Sequence, residues 1–311
     1  MTAVRDLRPT DLVALAAFET KATPNQARTR ERLIRESKGP LFLNALVEPW
    51  LPTESRRTVV AGDGLAIRGL ASARQRRRST AWEVDWLVVD DSAEGPDNAN
   101  SLLEQLAARC AELGALRIFL RVPHGSNCLD AARRSGFWPY LAESLFVREP
   151  GEVAQPAPPP AGLRTREKVD ELALFRLYSQ VVPSSVRSAE GMTLEDWRAS
   201  QESTPGRRRE YVVTRDDSVE GWLWVARAGG SNHFSIIATH DDEQTVNGLI
   251  RFALAQCDRR DPAVALVPSF QSGLRFALRA DWAFEEVAHF QTLIKHLPVR
   301  VSQPAFVPAR A

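Results

Sequence analysis

AWEVDWLVVDDSAEGPDNANSLLEQLAARCAEL, residues 81–113, decides the fold of this chain. Ala81–Asp90 is apolar and rich in β-branched and aromatic residues, which predicts a strand. An acidic turn follows, and then an amphipathic helix over Ala99–Leu113, closed by Gly114. At such a joint, backbone N–H groups and a helix dipole can meet a ligand. What that turn can hold is the functional question.

Upstream, Val4–Arg8 reads as extended. Pro9 and Thr10 open a helix that carries Leu12, Leu15, Ala16 and Phe18 on one face. A second helix is predicted over Asn25–Ser37, stopped by Gly39–Pro40, with an irregular stretch around Trp50 after it. Arg57–Ala61 and Leu65–Arg74 pair as a hairpin around Gly62–Asp63–Gly64. Downstream come a strand at Arg117–Val122, a short helix at Leu129–Arg134 and a strand at Tyr140–Arg148. The proline-rich run EPGEVAQPAPPPA (Glu149–Ala161) can form neither helix nor central strand and predicts an extended linker.

Beyond the linker the same order of elements returns. Extended Leu163–Arg166 precedes a helix over Val169–Gln180 and a hairpin around Asp216–Asp217. Strands follow at Phe234–Thr239, Ala263–Val267 and Glu285–Lys295, with helices at Thr245–Cys257 and Leu274–Arg279. Arg5 and Asp11 align with Arg164 and Asp170, Val122–Pro123 with Val267–Pro268, and Cys110 with Cys257. Shared order in two halves predicts a tandem duplication: domains at residues 1–149 and 162–311, joined by residues 150–161.

The totals exclude several classes. A net charge of +1 provides no global field for nucleic acid or an anionic membrane. The runs Arg76–Arg78 and Arg207–Arg209 read as solvated strand ends. Three dispersed cysteines lack metal-ligand or disulfide spacing, which fits a reducing cytoplasm. No apolar run reaches membrane-spanning length.

The element order, with the opening VRDLRPTDLVALAAF and the closing SNCLDAARRSGFWPYLAESLFV, resembles the GNAT acyltransferase superfamily, twice over nearly the whole chain. The resemblance implies two α/β folds, each with a mixed sheet that splays open between its middle strands. Acetyl-CoA or another acyl-CoA would lie in the splay, its pyrophosphate on the loop before the long helix. Leu87, Val88, Val89, Gly95, Asn98, Ala99, Asn100 and Asn127 would then bind it, with no metal. The implied reaction is acyl transfer to an amine or other small-molecule acceptor, in a monomer or homodimer. The alternative is a degenerate tandem protein that serves as a ligand-binding or scaffold module.

The loop keeps the family's length but not its R/Q-x-x-G-x-G/A chemistry. Glu94 stands at the usual Arg, Asp97 and Ala99 at later glycines, and Pro96 removes an N–H donor. The second loop, THDDEQTVNGLI, is shorter and carries Asp241, Asp242 and Glu243, which read as helix-capping acids rather than metal ligands. Amine acylation needs a base. Glu83 and Asp85 alternate with Trp82, Val84 and Trp86, so both point to one face, into a cleft or into solvent. The acid usually supplied by a Tyr before the G-F turn is replaced by Ala132, which leaves Tyr140 as the substitute. Cys128 beside Asn127 reads as a buried small residue. In the second half Asn232, His233 and His240 replace the carboxylates.

Overall fold

The computed structural model describes residues 3–19, 22–35, 54–63, 66–78, 80–151, 158–204, 206–239 and 243–298. Trp50, His240, Asp241, Asp242, most of Leu41–Ser55 and much of the linker lie outside these residues.

The first half supplies strands β1 (Ala3–Asp6), β2 (Arg56–Asp63), β3 (Ala66–Gln75), β4 (Ala81–Val89), β5 (Arg117–Pro123) and β6 (Trp138–Arg148). Its helices are α1 (Leu12–Glu19), α2 (Arg30–Arg35), α3 (Gly95–Glu112) and α4 (Cys128–Arg134). The second half supplies β7 (Leu163–Thr165), β8 (Arg209–Arg215), β9 (Ser218–Ala228), β10 (Ser231–Ala238), β11 (Ala263–Pro268) and β12 (Glu285–His296). Its helices are α5 (Glu171–Val181), α6 (Ser184–Glu190), α7 (Leu194–Ser200), α8 (Glu243–Ala255) and α9 (Ser272–Ala280).

The two halves repeat in atomic detail at their openings. Arg5 donates two hydrogen bonds to Asp11, each at 2.6 Å, and Arg164 forks onto Asp170 at 2.6 and 2.8 Å. The same aspartates accept the amides of Arg8 and Glu167, both at 2.7 Å. A bidentate guanidinium–carboxylate pair fixes the angle between the first strand and the helix that follows.

All twelve strands form one sheet, in the order β1-β2-β3-β4-β5-β12-β6-β11-β10-β9-β8-β7. Each half's last strand therefore lies beside the other half's fifth strand. β12 runs antiparallel to β5 from Phe290/Pro123 to His296/Arg117, and β6 runs antiparallel to β11 from Arg148/Ala263 to Glu143/Pro268. β12 and β6 pair with each other along the middle.

Both halves splay where the resemblance implies. The parallel pair β4–β5 is joined only over Ala81–Glu83 and Arg117–Phe119, and β10–β11 only over Asn232–Phe234 and Ala263–Ala265. α3 and α4 cover one face of the first half, where Leu102, Leu103 and Leu106 pack on Trp82, Val84 and Leu87. α1 covers the other face, with Leu15 and Phe18 against Val88. In the second half, α8 and α9 take the first of these faces, and α5, α6 and α7 the second. Each large side chain buried this way contributes about 2 kcal/mol.

Three local expectations change. Asn25–Thr29 is extended rather than helical, because its polar groups bond across the splay; the helix is confined to Arg30–Arg35. Residues 184–200, to which the sequence reading assigns no element, form the helices α6 and α7. A bulge in the β3–β4 register skips Asp85, so Trp86 joins the α1 side while Trp82 and Val84 face α3.

Candidate functional site

In the first half, the chain itself occupies the splay. The Thr23 amide donates to Val89 O at 2.9 Å and the Gln26 amide to Leu87 O at 2.8 Å. Asn25 adds its side chain: Oδ1 accepts from Leu87 N at 2.8 Å and Nδ2 donates to Asp85 O at 3.0 Å. On the opposite bank Arg28 N donates to Arg121 O at 2.8 Å, and Ala27 between them is wholly buried. The edge of β4 that a ligand in this splay would use is already bonded.

The carboxylates expected to act as bases are closed off by guanidinium groups. Glu83 accepts from Arg74 at 2.8 Å and Arg76 at 3.3 Å, and Asp85 from Arg56 at 2.6 Å. Each is at most 4% exposed. The loop before α3 borders a depression of about 560 Å³ lined by Asp90, Asp91 and Ser92, with no cationic side chain in its wall. Val89, Gly95 and Asn127 line it too. A side chain at Gly95 would meet Asp90 O at 2.8 Å, so glycine is required there for packing. The other expected cofactor residues lie elsewhere. Leu87 and Ala99 pack in the core, Val88 faces α1, Asn98 is buried, and Asn100 reaches Glu104 at 3.4 Å. Asp97 pairs with Arg134 at 3.0 Å, and Glu94 makes no capping bond. These residues do not fit a pyrophosphate: carboxylates repel it, and the nearby arginines Arg68 and Arg134 are paired with Asp90 and Asp97, at 3.2 and 3.0 Å.

The second half differs. Its splay opens on the α5–α7 side into a cleft with Ser235 and Ile237 at its floor and Trp197, Trp222, Trp224 and Phe270 in its walls. Gln271 donates to Ile236 O at 2.8 Å, so this strand edge is bonded more sparsely than that of β4. At one end stands Glu190, at the close of α6. It accepts hydrogen bonds from Tyr178 Oη at 3.1 Å and from Tyr140 Oη at 3.2 Å. Burial raises the Glu190 carboxyl above its ordinary range, against the opposing pull of Arg76 and of the Tyr178 hydrogen bond. Burial first, and then the charge of Glu190, push both phenols well above theirs, so neither is an effective acid. Their role here is to orient the carboxylate.

Strand exchange builds the middle of the cleft. Arg121 on β5 donates to Glu143 on β6 at 2.7 Å and to Glu202 at 2.6 Å, while Thr292 on β12 donates to Glu143 at 2.6 Å. Burial opposes ionisation of Glu202, but Arg121, Arg30 and Arg76 outweigh it and hold this carboxyl well below its usual range. Arg76 also caps Ser200 O at 2.6 Å and lies 3.9 Å over the Phe119 ring. The first of the two arginine runs is thus partly interior, not a solvated strand end.

The remaining candidates are structural. Asn232 ties down Asp258 and Asp261 through its amide. Cys128 is buried and its thiol is pushed up to about 11, so it is no nucleophile at neutral pH. Among the described residues no cluster of His, Cys, Asp and Glu is placed to hold a metal ion, and no helix is long and apolar enough to cross a membrane.

Solved structures with this architecture exist. A GCN5-related N-acetyltransferase from Sphaerobacter thermophilus matches over 95% of both chains with a TM-score of 0.57 at 17% identity. A tandem GNAT protein from the clavulanic acid biosynthesis pathway covers 95% of this chain and 98% of its own, with a TM-score of 0.50 and 13% identity. This is a tandem GNAT fold. No family model matches the sequence, and a search of curated proteins finds no match. Within this tandem GNAT fold, the second half's splay opens into the cleft that Glu190 borders. Sequence reasoning missed Glu190, Tyr178, Trp197, Glu202 and Arg208 as site residues. A signal for α7 was present: Thr193 caps it by accepting the Asp196 amide at 3.2 Å, a Thr-x-x-Asp start.

Proposed function

We propose that this chain is a GNAT-type N-acyltransferase whose chemistry takes place in the splay of its second half. The observation that carries the reading is the contrast between the splays, the first filled by Thr23–Thr29 and the second open onto a cleft with a carboxylate of raised pKa. An acyl-CoA supplies the activated thioester. The acceptor enters from the α5–α7 side, and Glu190 takes the proton from its ammonium group so that the free amine can attack the thioester carbonyl, the C–N bond of the amide replacing the C–S bond as CoA leaves as its thiolate. Its raised basicity makes Glu190 a better proton acceptor than an ordinary carboxylate. Tyr140 and Tyr178 hold its two oxygens, and the tryptophan walls narrow the cleft around the acceptor. No step runs through the first half, whose loop and strand edge do not fit the donor.

A second reading has its own support. Neither loop carries the family's phosphate-cradling glycines, which favours a ligand-binding module without turnover. Titration calorimetry with acetyl-CoA separates the two: the enzyme reading expects one binding event per chain, and no heat at millimolar acetyl-CoA removes it.

A further inference from the structure

The end of the cleft opposite Glu190 holds more positive charge than its partners neutralise. Arg208 lies 5.2 Å over Trp222 and 4.9 Å over Trp224, and Arg30 lies 5.5 Å over the same Trp224. Arg166 and Arg77 stand close enough to act on Arg208. Three carboxylates face this group, and all are already engaged; Glu171, near Arg166 and Arg77, accepts from Arg198 at 2.7 Å. Glu210 accepts from Arg166 at 3.2 Å and from Trp222 Nε1 at 3.1 Å; Arg208 Nε is 3.2 Å away but out of line for a hydrogen bond. Glu202 is bonded to Arg121, and Arg30 approaches it only to 3.6 Å.

Buried donors without partners point the same way. Arg208 Nε, Arg166 Nε and Thr204 Oγ1 are buried and make no hydrogen bond among the described residues. Arg208 and Thr204 line the cleft. Leaving such groups unpaired costs about 1–3 kcal/mol each, a cost that an anion seated among them would remove. Burial pushes the Arg208 guanidinium down to about 10; the charge of Glu210 opposes that shift, and Arg77, Arg30 and Arg166 add to it.

We propose that Arg208, Arg30 and Thr204 form a subsite for an anionic group, a carboxylate or phosphate, carried by the acceptor. Resting on the assignment of the amine to Glu190, the acceptor then carries both an amine and a negative charge, set apart by the length of the cleft. Planar guanidinium groups favour carboxylate and phosphate because both offer two oxygens in the matching geometry.

The test uses the full chain at low salt. 3-Phenylpropionate, inorganic phosphate, phenethylamine and phenylalanine are titrated separately by calorimetry, without any acyl donor. 3-Phenylpropionate and phosphate should bind and compete with each other, and Arg208→Gln should weaken both about tenfold or more. Arg30→Gln should weaken them as well, while Arg208→Lys restores part of the loss. Circular dichroism checks that each variant is folded. Anion affinities unchanged in both glutamine variants, or no anion binding at tens of millimolar, overturn the subsite. Repeating the titration in saturating acetyl-CoA identifies the source of the anion. Undiminished 3-phenylpropionate binding supports an acceptor group, and displacement of both anions assigns the site to the donor's phosphates and overturns the proposal. Anion binding through Arg208 with no heat from acetyl-CoA leaves the subsite standing and removes the catalytic reading instead.

Discussion

His233, on β10 beside Arg30, is 4% exposed. Burial first, and then that cation, hold its imidazole down to about 3. Above pH 6.5 the folded and unfolded states are both neutral here, and the residue contributes nothing to pH dependence. As pH falls, the unfolded chain takes up a proton that the folded chain refuses, so stability is lost between pH 6.5 and about 3. From pH 7 to pH 5 the loss is about 2 kcal/mol. Glu190 works in the opposite sense: its raised carboxyl regains stability as pH falls. Urea unfolding at pH 7 and 5 should show that His233→Asn flattens the decline by that amount; an unchanged decline would assign it to other groups. Glu190 is also the residue on which the chemistry turns. Glu190→Gln keeps the size and accepts one tyrosine hydroxyl, but takes no proton. Turnover should fall about 10²- to 10⁴-fold with acetyl-CoA affinity preserved. Glu83→Gln should change turnover little, because Arg74 and Arg76 keep that carboxylate in a structural role; a loss matching that of Glu190→Gln would return the base to β4.

At the level of elements, the segment Thr23–Thr29 behaves as an extra edge set between β4 and β5. Asn25 is its anchor: besides Leu87 N and Asp85 O, its side chain bonds both N and O of Ala27, each at 3.0 Å. Asn25→Ala leaves several buried backbone groups unpaired, and a loss of about 3 kcal/mol follows from the cost of orphaned buried polar groups. Urea denaturation measures it, and a loss below about 0.5 kcal/mol, the size of an ordinary surface substitution, would mean that the segment is loosely held. The segment also shows why sequence reading stopped where it did. Strands, hairpins and the long helix α3 announce themselves by local periodicity, and the Arg5–Asp11 and Arg164–Asp170 pairs repeat visibly in sequence. Asn25–Thr29 looks helical because nothing local reveals that its hydrogen-bond partners lie some sixty residues away, at Asp85 and Leu87. Glu190 and Arg208 were illegible for the same reason. Each gains its meaning from groups across the cleft, Tyr140 for one and Arg30 for the other.

For the molecule as a whole, the exchange of last strands makes the proline-rich linker a boundary in sequence but not in folding. Residues 1–149 without β12 would leave β5 unpaired on one side, and residues 162–311 without β6 would do the same to β11. The bare edges are apolar: Leu120 and Val122 on one, Val264 and Leu266 on the other, and all four are buried in the intact chain. Exposed edges of this kind drive association. Phe146 and Leu293 would also lose their cover, at about 2–3 kcal/mol for each side chain. Buried charge adds to the deficit, since in the first piece Arg121 keeps Glu143 but loses Glu202, and Glu143 loses the Thr292 hydroxyl. Removing one partner from a buried, hydrogen-bonded ionic network costs several kcal/mol, which is a large part of the stability of a domain this size. Produced separately, the two pieces should therefore be aggregated or only partly ordered. Co-expressed, they should assemble one-to-one into a species with the intact chain's circular dichroism and a single unfolding transition. Size-exclusion chromatography with calorimetry decides the matter: a monomeric first piece with its own sharp transition would show that the halves are independent domains and that the exchanged strands are dispensable to each.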